Sequence, residues 1–120
     1  MNYRVRQKNG KRYVECLAGK ACIESERDAL DWVAICGETE SSGLLLHAGN
    51  LSPDFFDLKT GLAGAVLQKF VTYGVRVAAV LPQELVGKGR FWEMVIEANR
   101  GRQFHVSPEQ AQAEDWLLGD

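Results

Sequence analysis

The chain lacks several things, and each lack closes off a class of protein. No apolar run approaches the roughly 18 residues that cross a bilayer, and the opening Met1-Asn2-Tyr3-Arg4-Val5-Arg6 has no apolar stretch of the secretory type. A cytoplasmic location without membrane insertion is therefore expected. There is no basic excess: Lys and Arg total 14 against 16 Asp and Glu, for a formal charge of −2. That balance argues against a nucleic-acid partner, which calls for a basic face. The three cysteines, Cys16, Cys22 and Cys36, cannot all pair, and their spacing fits neither CxxC nor a secreted disulfide framework, so reduced thiols are expected. The two histidines, His47 and His105, lie far apart, and no metal or other cofactor is expected. There is no serine nucleophile elbow, HExxH, GxxxxGK[ST] or GxGxxG. No catalytic residue is assigned, and neither an NTPase nor a Rossmann enzyme is supported.

What is present describes one globular domain. The chain has 120 residues, 46% hydrophobic and 25% charged. Folding at this length hides about two thirds of the surface without disulfide or metal staples. No internal repeat, low-complexity tract or linker interrupts it, so residues 1–120 read as a single domain. Charge is uneven. Residues 1–20 hold six Lys or Arg against Glu15 alone, and residues 21–60 hold eight acids against two bases. The basic segment is a solvated hairpin face or a contact for an acidic partner, a second copy included.

Tyr3-Arg4-Val5-Arg6-Gln7 alternates apolar and polar residues, Asn9-Gly10 supplies a type I′ turn, and Arg12-Tyr13-Val14-Glu15-Cys16-Leu17 alternates again, which predicts a β-hairpin. Ser25, three residues before Asp28, caps a first helix in which Leu30, Trp32, Val33, Ile35 and Cys36 recur until Gly37. Leu44-Leu45-Leu46-His47-Ala48 has the form of a strand covered on both faces. Leu62, Ala63, Val66, Leu67, Phe70 and Val71 stripe a second helix, and Val75-Arg76-Val77-Ala78-Ala79-Val80-Leu81 is a buried strand closed by Pro82. Phe91, Trp92, Val95, Ile96 and Asn99 mark a third helix, and Gln103-Phe104-His105-Val106 a last strand. Ser107 at the N-cap, Pro108 next and Gln110 at the third position predict a capped final helix carrying Ala113, Trp116 and Leu117. The order ββαβαβαβα implies an α/β domain whose sheet is mixed but mostly parallel, with an antiparallel N-terminal hairpin.

In open α/β sheets ligands gather beyond the carboxyl ends of the strands, near helix N-termini. Two connections there draw notice. Residues 50–62 form a long and unusually apolar loop in which Phe55, Phe56 and Leu58 must bury, leaving Ser52, Asp54, Asp57, Lys59 and Thr60 to project. Asp57 or Thr60 also suits a helix cap. Val86-Gly87-Lys88-Gly89-Arg90 is a basic stretch whose Lys88 and Arg90 are candidates for an anion. Glu97, Asn99 and Arg100 at a helix end read as structural. The carboxylates fall mostly on exposed helix faces, so no acid pair is singled out.

Asp54-Phe55-Phe56-Asp57-Leu58-Lys59-Thr60-Gly61-Leu62-Ala63-Gly64, with Leu67-Gln68-Lys69-Phe70, Tyr73 and Glu97-Ala98-Asn99-Arg100-Gly101, resembles the signature of a bacterial family designated DUF4180. The element order and the block from Leu44 to Leu67 also resemble the STAS domain of anti-anti-sigma factors, in which a strand leads into Phe-x-Asp-Ser-Ser-Gly-Leu at a helix start. The resemblance implies a STAS-like fold and a phosphorylatable hydroxyl before Gly-Leu, where this chain has Thr60, with Asp57 displaced by one residue and Lys59 in place of the second hydroxyl. It implies a non-catalytic regulatory domain that binds a protein partner through residues 54–61, switched by phosphate on Thr60 beside helix amides and Lys59. The other readings left open are a small-molecule or anion site, or an enzyme, at the same helix start, and a homodimer formed through the hairpin with Arg4, Arg6 and an exposed Tyr3 or Tyr13.

Overall fold

A computed structural model describes residues 2–17, 19–87 and 89–119. Two strands open the chain, β1 (Tyr3–Lys8) and β2 (Lys11–Cys16), paired antiparallel in a register that sets Arg4 opposite Glu15 and Arg6 opposite Tyr13. Asn9 and Gly10 both take positive φ, 54° and 79°, as the two-residue type I′ turn requires. Then follow α1 (Glu26–Glu38), β3 (Gly43–His47), the short α2 (Pro53–Phe56), α3 (Leu62–Thr72), β4 (Arg76–Val80), the short α4 (Gln83–Val86), α5 (Gly89–Asn99), β5 (Phe104–Ser107) and α6 (Gln110–Leu118). The sheet runs β1-β2-β3-β4-β5, and every pair after the hairpin is parallel. The predicted α/β order is observed, with two additional one-turn helices in the connections.

Each parallel strand steps to the next through a crossover, and α1, α3 and α5 all pack on one face of the sheet. There Val14, Cys16, Leu44, Leu46, Val77, Ala79, Phe104 and Val106 meet Trp32, Ile35, Val66, Phe70, Phe91 and Val95 in the main core. Alternate strand residues, Tyr13, Leu45 and Ala78, point to the other face, where α6 alone covers them with Ala113 and Leu117. Close approach of α6 depends on Gly43, because a Cβ there would stand 2.9 Å from Leu117 Cδ2. Arg76 fastens the end of α6: its guanidinium donates to the carbonyls of Trp116 (3.0 Å), Leu117 and Gly119 and lies 4.2 Å from the centre of the Trp116 ring.

Local expectations fare unevenly. Ser25 does cap α1, reciprocally with Asp28, but the helix runs through Gly37 and Ala29 takes the core position expected of Leu30, which is 38% exposed. Ser107 is not a helix cap. It is the last ladder residue of β5, opposite Val80, and α6 starts three residues later from Glu109 with no side-chain cap, because the strand pairing claims the Ser107 backbone first. Tyr13 is buried rather than part of an exposed stripe, and Tyr3 packs edge-on to Trp32.

The outer edge of β5 is satisfied by a side chain. Asn99 at the end of α5 donates from Nδ2 to the Val106 carbonyl (3.0 Å) and accepts the Val106 N–H at Oδ1 (2.8 Å), standing in for a sixth strand. Asn99→Ala strands both groups of a buried residue and is expected to cost about 1–3 kcal/mol. Urea unfolding should show a lower midpoint at unchanged slope; an unmoved midpoint would deny the Asn99 amide this role.

Candidate functional site

The connection after β3 is pinned by aromatic burial. Pro53 starts the one-turn α2, which delivers Phe55 into the core at 1% exposure, edge-on to Phe56, Phe91 of α5 and Phe104 of β5. Phe56 stays half-buried, its ring 5.2 Å from that of Phe91. The loop is thereby tied to the start of α5. A cleft of about 260 Å³ opens along that seam, lined by Phe56, Asp57, Leu58, Lys59, Arg90 and Phe91. It joins the two connections that the sequence suggested separately.

Each expected residue except Lys88 has a definite place. Asp57, Lys59 and Arg90 are exposed and line the cleft. Asp57 also accepts the Lys59 N–H at Oδ1 (3.1 Å), capping a single 3-10 turn at Leu58–Thr60. Asp54 is exposed, and its carbonyl lies 2.7 Å from the Thr60 hydroxyl. Thr60 is exposed, and its Oγ1 is placed to donate to the Asp54 or Asp57 carbonyl (2.7 and 2.9 Å) while accepting the Leu62 N–H (3.2 Å). The hydroxyl therefore closes the turn and caps the first amide of α3. Ser52 does not project. It is 7% exposed, drawn inward where Ile23 and Leu51 form an isolated parallel bridge and its own N–H donates to the Ile23 carbonyl (3.1 Å). Lys88 lies outside the described residues.

A second polar cluster lies on the α6 face, centred on Glu15, which the sequence marked only as the single acid of the basic hairpin. Glu15 is 4% exposed. Its Oε1 accepts from Arg6 Nε (2.7 Å) and lies 3.4 Å from Arg4 Nε; its Oε2 accepts from His47 Nε2 (3.0 Å) and Gln110 Nε2 (3.2 Å). Beside it Tyr13 donates its hydroxyl to Glu114 of α6. Burial on its own raises the Glu15 pKa, but the hydrogen bonds from His47 and Arg6, with their charge, prevail and hold the carboxyl below its ordinary value. With both oxygens engaged, Glu15 is a clamp joining β1, β2, β3 and α6 rather than a nucleophile. The Arg4 and Glu15 pairing was available from the two-residue turn, which fixes the hairpin register. His47 and Gln110, 32 and 95 residues away from Glu15, carried no local signal.

A protein-family model described as Domain of unknown function (DUF4180) matches residues 8–117, and the chain belongs to that family. No curated protein and no solved structure matches it.

Because the folded Glu15 pKa is depressed, its contribution to stability is present above the unfolded value near 4.5 and is lost as pH falls through the lower folded value. Glu15→Gln is expected to lose about 2 kcal/mol at pH 7, the scale of hydrogen bonds to a charged group. It should also flatten the acid limb of stability against pH in urea titrations. Superimposable acid limbs for the two proteins would exclude Glu15 as the group responsible.

Proposed function

We propose that this DUF4180 domain is a non-catalytic, STAS-like regulatory module that docks a protein partner in the cleft between residues 54–61 and the start of α5, with phosphorylation of Thr60 as its switch. The observation that carries this reading is that Lys59 and Arg90, 31 positions apart in the chain, line one cleft together with Phe56 and Phe91. Two cations beside an aromatic pair suit a partner segment that offers a carboxylate or phosphate next to an apolar side chain. The buried Phe55 keeps that geometry in place before the partner arrives, which lowers the ordering cost of binding.

Thr60 supplies the switch chemistry. A phosphoryl group on Oγ1 removes the hydroxyl proton, so the bonds toward the Asp54 and Asp57 carbonyls are lost. It adds nearly two negative charges beside the Leu62 amide and the neighbouring Lys59. The phosphate competes with an acidic partner for Lys59, so modification releases the partner. The second reading, a small phosphorylated metabolite held by Lys59 and Arg90, draws on the same cleft, whose volume of about 260 Å³ suits a small anion.

The test is purification of the tagged protein from its own cells with phosphatase inhibitors, beside the double variant Lys59→Glu, Arg90→Glu. Both positions are exposed, so the variant should melt within a few degrees of the parent. Expected is a protein retained by the parent at about tenfold or more over the variant, the scale that like-charge juxtaposition produces, and phosphate on Thr60 in the unbound fraction. Equal retention of the same proteins by both, with Thr60 unmodified across growth conditions, overturns the proposal. A saturable rise in melting temperature with phosphorylated metabolites and no retained protein assigns the cleft to the small anion instead.

A further inference from the structure

We propose that Cys16 and Cys22 are a redox-active pair that closes to an intrachain disulfide by exchange with a small-molecule disulfide. Their sulfurs lie 3.2 Å apart, and both cysteines are thiols. A disulfide brings them to about 2 Å, so closure asks for a movement of about 1 Å. The proximity is built into the backbone. Cys16 is the last residue of β2, held in the hairpin ladder opposite Tyr3. Cys22 lies on the connection to α1, with its N–H donating to the Asn50 carbonyl (2.8 Å), and the next residue, Ile23, is bridged to Leu51. Both cysteines are thus fixed by segments that the rest of the fold anchors, independently of the docking cleft.

The two thiols differ in access, which orders the chemistry. Cys16 is fully buried and Cys22 is half-buried, so a soluble reagent meets Cys22 first. The Cys16 thiol and burial push the Cys22 thiol up, keeping resting Cys22 protonated, and attack proceeds through its small thiolate fraction. The Cys22 thiolate attacks one sulfur of glutathione disulfide, forming a mixed disulfide and releasing the first glutathione thiolate, which takes up the proton Cys22 gave. Cys16, deprotonated in turn, attacks the Cys22 sulfur and expels the second glutathione, which takes up that proton. Two protein thiols are oxidised and one glutathione disulfide is reduced to two glutathiones. Cys36 is an internal control: it is 1% exposed, burial pushes its thiol up to about 11, and its sulfur neighbour is the Gly43 carbonyl at 3.9 Å.

The experiment incubates the native protein in glutathione buffers of graded redox ratio, quenches with acid, alkylates, and reads intact mass and a proteolytic map. The expected result is loss of two hydrogens, a linked pair of peptides containing Cys16 and Cys22, and alkylated Cys36. Cys22→Ser should abolish the mass change, and Cys16→Ser should hold one glutathionyl group on Cys22. The wild-type map decides the matter even where the buried Cys16→Ser variant unfolds. Three alkylatable thiols in wild-type protein at the most oxidising ratio overturn the proposal, as does a disulfide that includes Cys36 or joins two chains.

Discussion

The burial of Phe55 is the constraint on which the candidate cleft depends. A connection as long as residues 50–62 has high conformational entropy unless something orders it. Inserting one phenylalanine edge-on among Phe56, Phe91 and Phe104 offsets part of that cost, since a fully buried Phe side chain contributes about 1.5–3 kcal/mol. The insertion also selects the neighbours. Phe91 belongs to α5, so fixing Phe55 brings Arg90 into the same cleft as Lys59 and the exposed Asp57. Remove that anchor and one cation remains on the connection after β3 and the other on the first turn of α5, with nothing to join them.

The opposite face of the sheet follows a different logic. A single nine-residue helix cannot cover five strands, so its cover is completed by charge. Glu15 bonds to Gln110 at the start of α6, and Arg76 donates to carbonyls at its end. A negative charge at the N-terminus and a positive one at the C-terminus both complement the helix dipole. This explains how α6 holds its place with no side-chain cap of its own. It also bears on His105, which stacks on Trp116 at 5.1 Å while Arg76 lies over the same ring system. Burial and the Arg76 charge push the His105 pKa down, so the imidazole stays neutral and joins the packing of that end.

How much of this was legible depended on the range of the interaction. The hairpin, with its Asn9-Gly10 turn, follows from side-chain alternation and backbone preference within a dozen residues, and β3 and β4 are apolar in a way that only coverage on both faces explains. Ser107 misled because Ser-Pro-x-Gln satisfies the local rules for a capped helix, whereas the partner that decides its conformation, Val80, is 27 positions earlier. Ser52 misled in the same way, through its bridge-side contact with Ile23. Asp57, Lys59 and Arg90 of the cleft, and Thr60 beside it, were legible as exposed polar residues of two connections. That the loops share one cleft was not, because the aromatic contacts that join them span α2, α5 and β5.

The two faces therefore divide their work, and the division bears on how the molecule meets others. Arg4 and Arg6 gave the hairpin its basic character in the sequence, yet both face Glu15, and the closer, Arg6, is held at 2.7 Å. Lys8 lies 3.7 Å from Glu114. Cations already facing carboxylates of their own chain offer little net field to an acidic partner, and drawing Arg4 and Arg6 away would leave Oε1 of a buried carboxylate without its cations. Lys59 and Arg90 stand in a different position: both are exposed, in a cleft walled by the half-buried Phe56 and the buried Phe91. On the proposed reading, an anionic partner is drawn to the exposed Lys59 and Arg90 of the cleft rather than to Arg4, Arg6 and Lys8, whose charge is already met by Glu15 and Glu114.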